Sequence, residues 1–346
     1  MRNVTPWQSL RLPFATGLAL GLVLMLLPLA VVGEGEGPEP VPTLPPQPTP
    51  VAEPAPTRPL PLAGADGAQA LRVLQKDGTV ADMTMADYLW GVVAAEMPAA
   101  FEPEALRAQA VCARTYSLWK MQAGSHEADG ADICADSTCC QAYISPEEAE
   151  QRWADDAPTY TAKIAAAVAD TDGQVLTYGG APIQAVFFSS ADGQTADAQE
   201  VWGKSLPYLV PVDSPEGDEV PNYRSTVILT ADEVRKLAEG AGLGCDLSGE
   251  PSGWFTGLTR TASGRVERVE LGGAELSGGA ARSLFSLRSA SFDVAEEDGS
   301  FVFSVTGYGH GVGMSQYGAN AMAKAGSGWA DILAHYYTGA ELQTGL

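Results

Sequence analysis

The run Tyr88-Leu-Trp-Gly-Val-Val-Ala-Ala-Glu96-Met97-Pro98 sets the frame for the globular part of this chain. Just upstream, Thr84 followed by Asp87 resembles a capping box, although Glu or Gln is the usual third-position partner. Met85, Leu89, Val92 and Val93 then recur at helical spacing, which predicts a helix that Pro98 must stop. Glu96 falls on the apolar stripe of that helix, near its end. A carboxylate on a buried stripe is costly unless it is protonated, paired or functional. Two readings follow: the side chain curls out to solvent, or it stays inside and has chemical work.

Working outward, Pro103 suits the first turn of a second helix over 104–122. Ala105, Ala108, Ala110 and Ala113 allow close packing along it, Arg107 and Arg114 share a face, and Cys112 reads as a buried, inert thiol. A short strand is predicted at 71–74, with a turn at Lys76-Asp77-Gly78 and a short helix at 163–169. Two strands, 174–178 and 183–188, are joined by Gly179-Gly180 as a hairpin. Thr230 caps a helix over 231–241, and 265–271 and 301–305 alternate as strands. Ser315 caps a helix to Ala325 with Gly326 as its stop, and 331–337 gives a last helical turn or two. No internal repeat is present. The pattern is α+β: one globular domain over 63–346, with helices and twisted antiparallel strands around a groove.

Two clusters in this domain carry chemistry. His126, Cys134, Cys139 and Cys140 fall within fifteen residues. Thiolate and imidazole suit zinc, though the spacing is not that of a zinc finger. A Cys134–Cys140 or Cys134–Cys139 disulfide is the competing reading. Further on, Gly307-Tyr308-Gly309-His310-Gly311-Val312-Gly313 is followed by Ser315, Gln316 and Tyr317. Four glycines around one histidine permit positive φ and close backbone approach, as in the floor of a cleft that reads a polar ligand. A tight structural turn around a core histidine is the alternative. A phosphate loop is excluded, because no Gly-Lys-Ser/Thr follows.

The 346 residues carry 20 basic and 43 acidic side chains, a net charge of −23, and are 45% hydrophobic. That balance leaves no basic footprint for nucleic acid. The hydrophobic share is too high for a disordered acidic chain, and 5 Cys and 3 His exclude a dense disulfide scaffold. Residues 1–13 carry Arg2 and Arg11 and no acid, and 14–32 is an uncharged apolar run of 19 residues. At 1.5 Å per residue such a run covers roughly the 30 Å of a bilayer core. It is read as an uncleaved transmembrane helix after a short cytoplasmic segment, with the rest of the chain outside. It is longer than a signal-peptide core. Residues 33–62 hold 11 of the 24 prolines and read as a stiff linker.

Read in chain order, the strings are similar to those of the sporulation lytic transglycosylase family, stage II sporulation protein D. They begin with Tyr88 to Pro98 and with Glu104-Ala-Leu-Arg-Ala-Gln-Ala-Val-Cys-Ala-Arg114-Thr115-Tyr116. They continue through Cys140-Gln141-Ala142-Tyr143, Thr171-Asp-Gly-Gln-Val-Leu-Thr177 and Gly309-His-Gly-Val-Gly-Met-Ser-Gln316-Tyr317-Gly-Ala319.

The resemblance implies a membrane-anchored lytic transglycosylase. It would cut peptide-stripped peptidoglycan strands between N-acetylmuramic acid and N-acetylglucosamine and leave 1,6-anhydro ends. Its setting would be the sporulation septum and the engulfing mother-cell membrane. Glu96 would be the catalytic residue, with Arg114, Tyr208, His310, Gln316 and Tyr317 in the groove. The resemblance also favours zinc, in a structural role, on His126, Cys134 and Cys140. A membrane-anchored sporulation amidase and an associated membrane protein are the implied partners. The sequence departs from the family at Phe188-Ser189-Ser190-Ala191-Asp192-Gly193, where His often precedes the serines and Gly is usual at position 192. It departs again at Val210, where Lys is often found.

Two rival classes share some of these features. A zinc-dependent cell-wall amidase would use the His/Cys cluster, and a non-catalytic glycan-binding scaffold would use the glycine-rich cleft. Because the domain carries about −22 and stripped strands keep lactyl carboxylates, Arg107 and Arg114 are expected to focus the substrate, and binding is expected to tighten with salt.

Overall fold

A computed structural model describes residues 66–344. The expected cytoplasmic segment, transmembrane helix and linker over 1–62 lie outside the described residues. Among those described, no helix is long and apolar enough to cross a membrane.

β1 (Ala70–Leu74) and β2 (Val80–Thr84) pair antiparallel, with Leu71 opposite Met83. The turn between them is held by the Asp77 carboxylate, which accepts from the Thr79 N–H at 2.9 Å and hydroxyl at 2.7 Å. Thr84 then caps α1 (Met85–Glu96), accepting from the Asp87 N–H at 3.1 Å. The Asp87 carboxylate returns to the Thr84 hydroxyl, which suits a side chain one methylene shorter than the usual Glu. α1 ends at Glu96, and Met97 is already extended ahead of Pro98.

α2 (Pro103–Gln122) starts on its proline and is buried along most of its length. Its alanines let α1 and α4 (Ala157–Asp170) approach closely. Between them come β3 (Ile133–Cys134), which pairs parallel with β1, and α3 (Pro146–Trp153), which opens on a Ser145/Glu148 capping box. α4 is longer than the stretch read at 163–169, because Pro158 near its start sets helical φ without needing a donor.

β4 (Gln174–Tyr178) and β5 (Ala181–Pro182) form the expected hairpin over Gly179-Gly180, with Thr177 opposite Pro182. The second strand does not run on to 188. The chain leaves the hairpin after Pro182, and β6 (Phe187–Phe188) pairs parallel with a later strand instead. α5 (Ala198–Trp202) follows.

From Arg224 the chain builds a second core. β7 (Arg224–Thr230) leads into α6 (Ala231–Gly240) through a Thr230/Glu233 capping box. β8 (Phe255–Arg260), β9 (Val266–Leu271) and β10 (Ala274–Ser277) form one antiparallel sheet in the order β10-β9-β8. α7 (Gly278–Leu284) is followed by β11 (Phe292–Glu297) and β12 (Ser300–Thr306), which give a second sheet in the order β11-β12-β7. Phe301, Phe303 and Val305 alternate inward on β12 and pack with Val234, Trp254, Val269, Phe285 and Phe292.

The chain then returns to the first core through β13 (Met314–Ser315), the partner of β6, then α8 (Gln316–Lys324), α9 (Trp329–Tyr336) and β14 (Glu341–Thr344) beside β4. That first core gathers Leu71, Val92, Leu106, Phe188, Met314 and Ile332. The architecture is mixed α+β with small sheets, most of them antiparallel. Its apolar interior divides into two clusters, because sheets of two or three short strands bury only local faces.

Candidate active site and candidate metal centre

Glu96 stays inside. It is fully buried at the end of α1. Its Oε1 accepts from the Ala142 N–H at 2.5 Å, and its Oε2 has no hydrogen-bond partner. Burial pushes its pKa up to about 8, against the smaller opposing effect of the Ala142 N–H. At neutral pH the side chain is therefore a carboxylic acid, able to donate.

The approach of Ala142 depends on Gly91, five residues before Glu96 on the same helix. A Cβ at Gly91 would run into the Tyr143 ring and the Ile144 carbonyl. With glycine there, Ile144 N–H reaches the Gly91 carbonyl at 3.3 Å, and Tyr143 stacks on Tyr88 at 5.9 Å with nearly parallel rings. From the other side, Gln316 Nε2 donates to the Glu96 carbonyl at 2.8 Å and lies 3.4 Å from Gln109 Oε1. Ser315 and Gln316 sit where β13 turns into α8, so the glycine-rich segment delivers Gln316 to α1.

The other expected groove residues are placed differently. Arg114 is buried, 1% exposed, and braced on Asp66: Nε lies 2.9 Å from Oδ1, and Nη2 also bonds that carboxylate. Nη1 donates to the Gln174 carbonyl at 3.1 Å. This corrects the expectation that Arg114 holds sugar groups, because its donors face protein acceptors inside the helix packing. Arg107 is also committed, to Glu104 and to Asp170, with its guanidinium over the Trp329 ring. Neither arginine is a loose cation able to focus a polyanion.

His310 is the core histidine of a tight junction. Nε2–H donates to the Phe187 carbonyl at 3.0 Å, and Nδ1 accepts from the Val312 N–H at 3.1 Å. Burial, reinforced by the charge of Arg282, pulls its pKa down to about 3, so the ring is neutral. Phe188 and Trp202 flank it. Tyr208 is buried and accepts from the Gln184 N–H at 3.2 Å, with its ring against Tyr178. Tyr317 is half-buried and meets Phe101 edge-on at 4.9 Å. Of the expected set, Gln316 is the residue that hydrogen-bonds the Glu96 backbone.

The glycines do what their number implied, but for the protein's own backbone. The 307–313 segment bridges to Ser190 at Tyr308, to Ser289 at Gly309 and to Ala196 at Val312. At Gly311, with φ +88°, a Cβ would strike the Arg265 guanidinium. Arg265 is buried and pairs with Asp192 at 3.2 Å, and Asp192 in turn accepts from the Ser291 hydroxyl. The aspartate that stands in place of the usual glycine thus has a buried partner. Val210 receives no comparable account from the structure.

The sequence reading missed three polar features: the Ala142 N–H, Gln109 and Glu216. Glu216 is buried and accepts from the Ala191 N–H at 2.6 Å, from the Ser214 hydroxyl at 2.6 Å and from the Ser315 hydroxyl. A main-chain donor leaves no mark in a sequence. Glu216 lies in loop-rich chain with no periodicity to flag it.

His126, Cys134, Cys139 and Cys140 converge, with their ligand atoms all within 4.8 Å of one another. His126 Nε2 is 3.3 Å from Cys140 Sγ and 3.5 Å from Cys139 Sγ. The five cysteines are free thiols, so neither candidate disulfide is present. The cluster can hold a metal ion, and soft thiolates with one imidazole match the donor set zinc prefers.

The fold and site define a mixed α+β protein with a buried acid at a helix end, tied through Ala142 to a Cys/His cluster. Residues 75–178 match the family model described as SpoIID, Stage II sporulation protein. The chain is 39% identical over 266 residues to stage II sporulation protein D of Bacillus subtilis (strain 168), covering 76% of each chain. It is 38% identical over 266 residues to the protein of that name from Bacillus amyloliquefaciens, covering 76% of this chain and 75% of the other. It is also 29% identical over 313 residues to a Bacillus subtilis (strain 168) protein named amidase enhancer, covering 73% of this chain and 40% of that one. The chain belongs to the stage II sporulation protein D family, and is a sporulation-family protein.

Proposed function

We propose that this protein is a lytic transglycosylase of peptide-stripped peptidoglycan strands, with Glu96 as its acid and then its base. The observation that carries this reading is the Glu96 carboxyl, buried, shifted to about 8, with Oε2 free of any protein partner. The Oε2 proton goes to the glycosidic oxygen between N-acetylmuramic acid and N-acetylglucosamine as the C1–O bond breaks. The resulting carboxylate takes the proton from the muramic C6 hydroxyl as that oxygen bonds to C1. No water is consumed, the product is a 1,6-anhydro sugar, and the acid is regenerated. One carboxyl suffices because the attacking hydroxyl belongs to the substrate. A hydrolase would need a second carboxylate, and the buried Glu216 already accepts from Ala191, Ser214 and Ser315.

Oε2 is covered in this state, so productive binding includes a local opening beside Glu96. Zinc on the Cys/His cluster is a structural metal in this reading. The setting is the outer face of the membrane, with 14–32 as anchor and 33–62 as stalk, at the sporulation septum and the engulfing mother-cell membrane. A sporulation amidase and its associated membrane protein are the partners, since strands must lose their peptides first. The similarity to a protein named amidase enhancer supports a cell-wall setting.

The test is mass spectrometry of peptide-free glycan strands digested by the wild-type protein and by Glu96→Gln. Wild type should release anhydro-muramic ends, and the variant should release none. A normal yield from Glu96→Gln would remove Glu96 from the chemistry. Release of stem peptides, lost with chelator, would favour an amidase instead.

A further inference from the structure

The family resemblance places zinc on three ligands, His126, Cys134 and Cys140, while Cys139 lies in the same cluster. We propose that Cys139 is the fourth, so that a bound zinc is closed to water and acts as a staple holding the 139–144 segment against Glu96. The proposal rests on the cluster being a zinc site.

Tetrahedral zinc, with Zn–S of about 2.3 Å and Zn–N of about 2.0–2.1 Å, sets S···S edges of about 3.8 Å and S···N edges of about 3.5 Å. Cys139 meets both: its Sγ is 3.5 Å from His126 Nε2 and 3.9 Å from Cys140 Sγ. The Cys140 edge to His126 is 3.3 Å. A second observation comes from the far side of the imidazole. His126 Nδ1 lies 3.3 Å from Asp129 Oδ2, the carboxylate contact that turns Nε2 inward as a ligand. Three ligands are buried while Cys139 is exposed, so Cys139 occupies the solvent side, where a catalytic zinc would carry water. Loading the site breaks three S–H bonds, forms three Zn–S bonds and one Zn–N bond, and releases three protons to solvent.

The consequence lies two residues further on. Cys139 and Cys140 are followed at once by Gln141, Ala142 and Tyr143, and the Ala142 N–H is the group that holds Glu96 Oε1. At the other end of the cluster, the Tyr88 hydroxyl on α1 donates to the Cys134 carbonyl at 3.4 Å, and the same ring stacks on Tyr143. The metal site and the catalytic helix therefore grip one segment from both sides. Ala142 is a positioning residue, and the metal fixes it.

The experiment uses the full chain reconstituted with cobalt(II) in place of zinc, and follows the thiolate-to-cobalt charge-transfer band and the visible bands of tetrahedral cobalt. In Cys139→Ser and Cys139→Ala the charge-transfer intensity should fall by about one third, as three thiolates become two. Cys112→Ser, outside the cluster, should leave the spectrum unchanged. Amide hydrogen exchange over 139–144 should speed up in chelator-treated wild type and in Cys139→Ala, while 224–305 stays as it was. An unchanged cobalt spectrum in both Cys139 variants overturns the fourth ligand and leaves the metal site standing. So does a wild-type cobalt site whose spectrum shifts when cyanide is added, since a closed site has no position to offer. Failure of the wild-type chain to bind cobalt or zinc removes the metal reading itself. Exchange over 139–144 that ignores the metal removes the staple.

Discussion

The Ala142 N–H donates to one oxygen of Glu96 while the other oxygen, equally buried, meets no partner. A single neutral-to-acid hydrogen bond offsets only part of the cost of burying a carboxylate. The side chain therefore holds its proton to about pH 8, far above an ordinary glutamate. The unsatisfied oxygen is a cost to the folded chain and an asset to an acid catalyst.

That cost gives a stability prediction with a definite sign. Below about pH 4.5 both the folded and the unfolded chain carry Glu96 protonated. As pH rises from there towards about 8, the unfolded chain ionises and the folded one does not, so stability is lost over that window. Glu96→Gln should therefore be more stable than wild type at pH 8.5, by roughly a few kcal/mol of unfolding free energy. The difference should vanish near pH 4.5. Urea titrations at the two pH values check it, and a gap that does not change with pH would contradict a protonated buried Glu96.

The same proton sets the pH profile of the proposed reaction. Cleavage of peptide-free strands should fall tenfold per unit once pH passes about 8, because the donor is then a carboxylate. A rate that holds level to pH 10 would mean that Glu96 is not the acid.

Gln316 should act on rate more than on binding. Its Nε2 holds the Glu96 carbonyl from α8 at 2.8 Å. Gln316→Leu removes that bond, with a stability cost of about 1 kcal/mol. It should lower kcat by roughly tenfold with KM little changed, since a small misplacement of the acid costs rate first. Steady-state kinetics on defined glycan strands separates the two.

Asp192 should prove structural. Asp192→Ala removes the directly paired carboxylate of the buried Arg265 guanidinium beside Gly311, leaving only the more distant charges of Glu200 and Glu216, which should cost about 3 kcal/mol. Asp192→Ala with Arg265→Met should recover much of that loss. Unfolding midpoints of the two singles and the double decide it.

Salt offers a test of the charge balance. With Arg107 and Arg114 both engaged by carboxylates, an acidic domain has little to offset its repulsion of a polyanionic strand. Binding should tighten as ionic strength rises and screening shortens the reach of that repulsion. Titration calorimetry at low and moderate salt measures it, and weakening with salt would reveal a cationic surface.

Much of the architecture was legible along the chain. The α1 stripe and its stop at Pro98, the proline start of α2, the Thr230 and Ser315 caps and the Gly179-Gly180 turn are local effects of side chain on backbone, and they stand where the sequence placed them. The convergence of the Cys/His cluster was also legible, because its members are close in the chain. What the residue order could not say is which partner each polar group would find. Arg114 meets Asp66 from 48 residues away and Arg265 meets Asp192 from 73 residues away, while His310 meets the Phe187 carbonyl. The Glu96 carboxyl, apolar stripe or not, becomes an acid only because the 142–144 segment folds over Gly91 and shuts out water. Local sequence determined the elements and the place of the acid; desolvation and long-range pairing, which exist only in the packed chain, decided its proton and the roles of the residues around it.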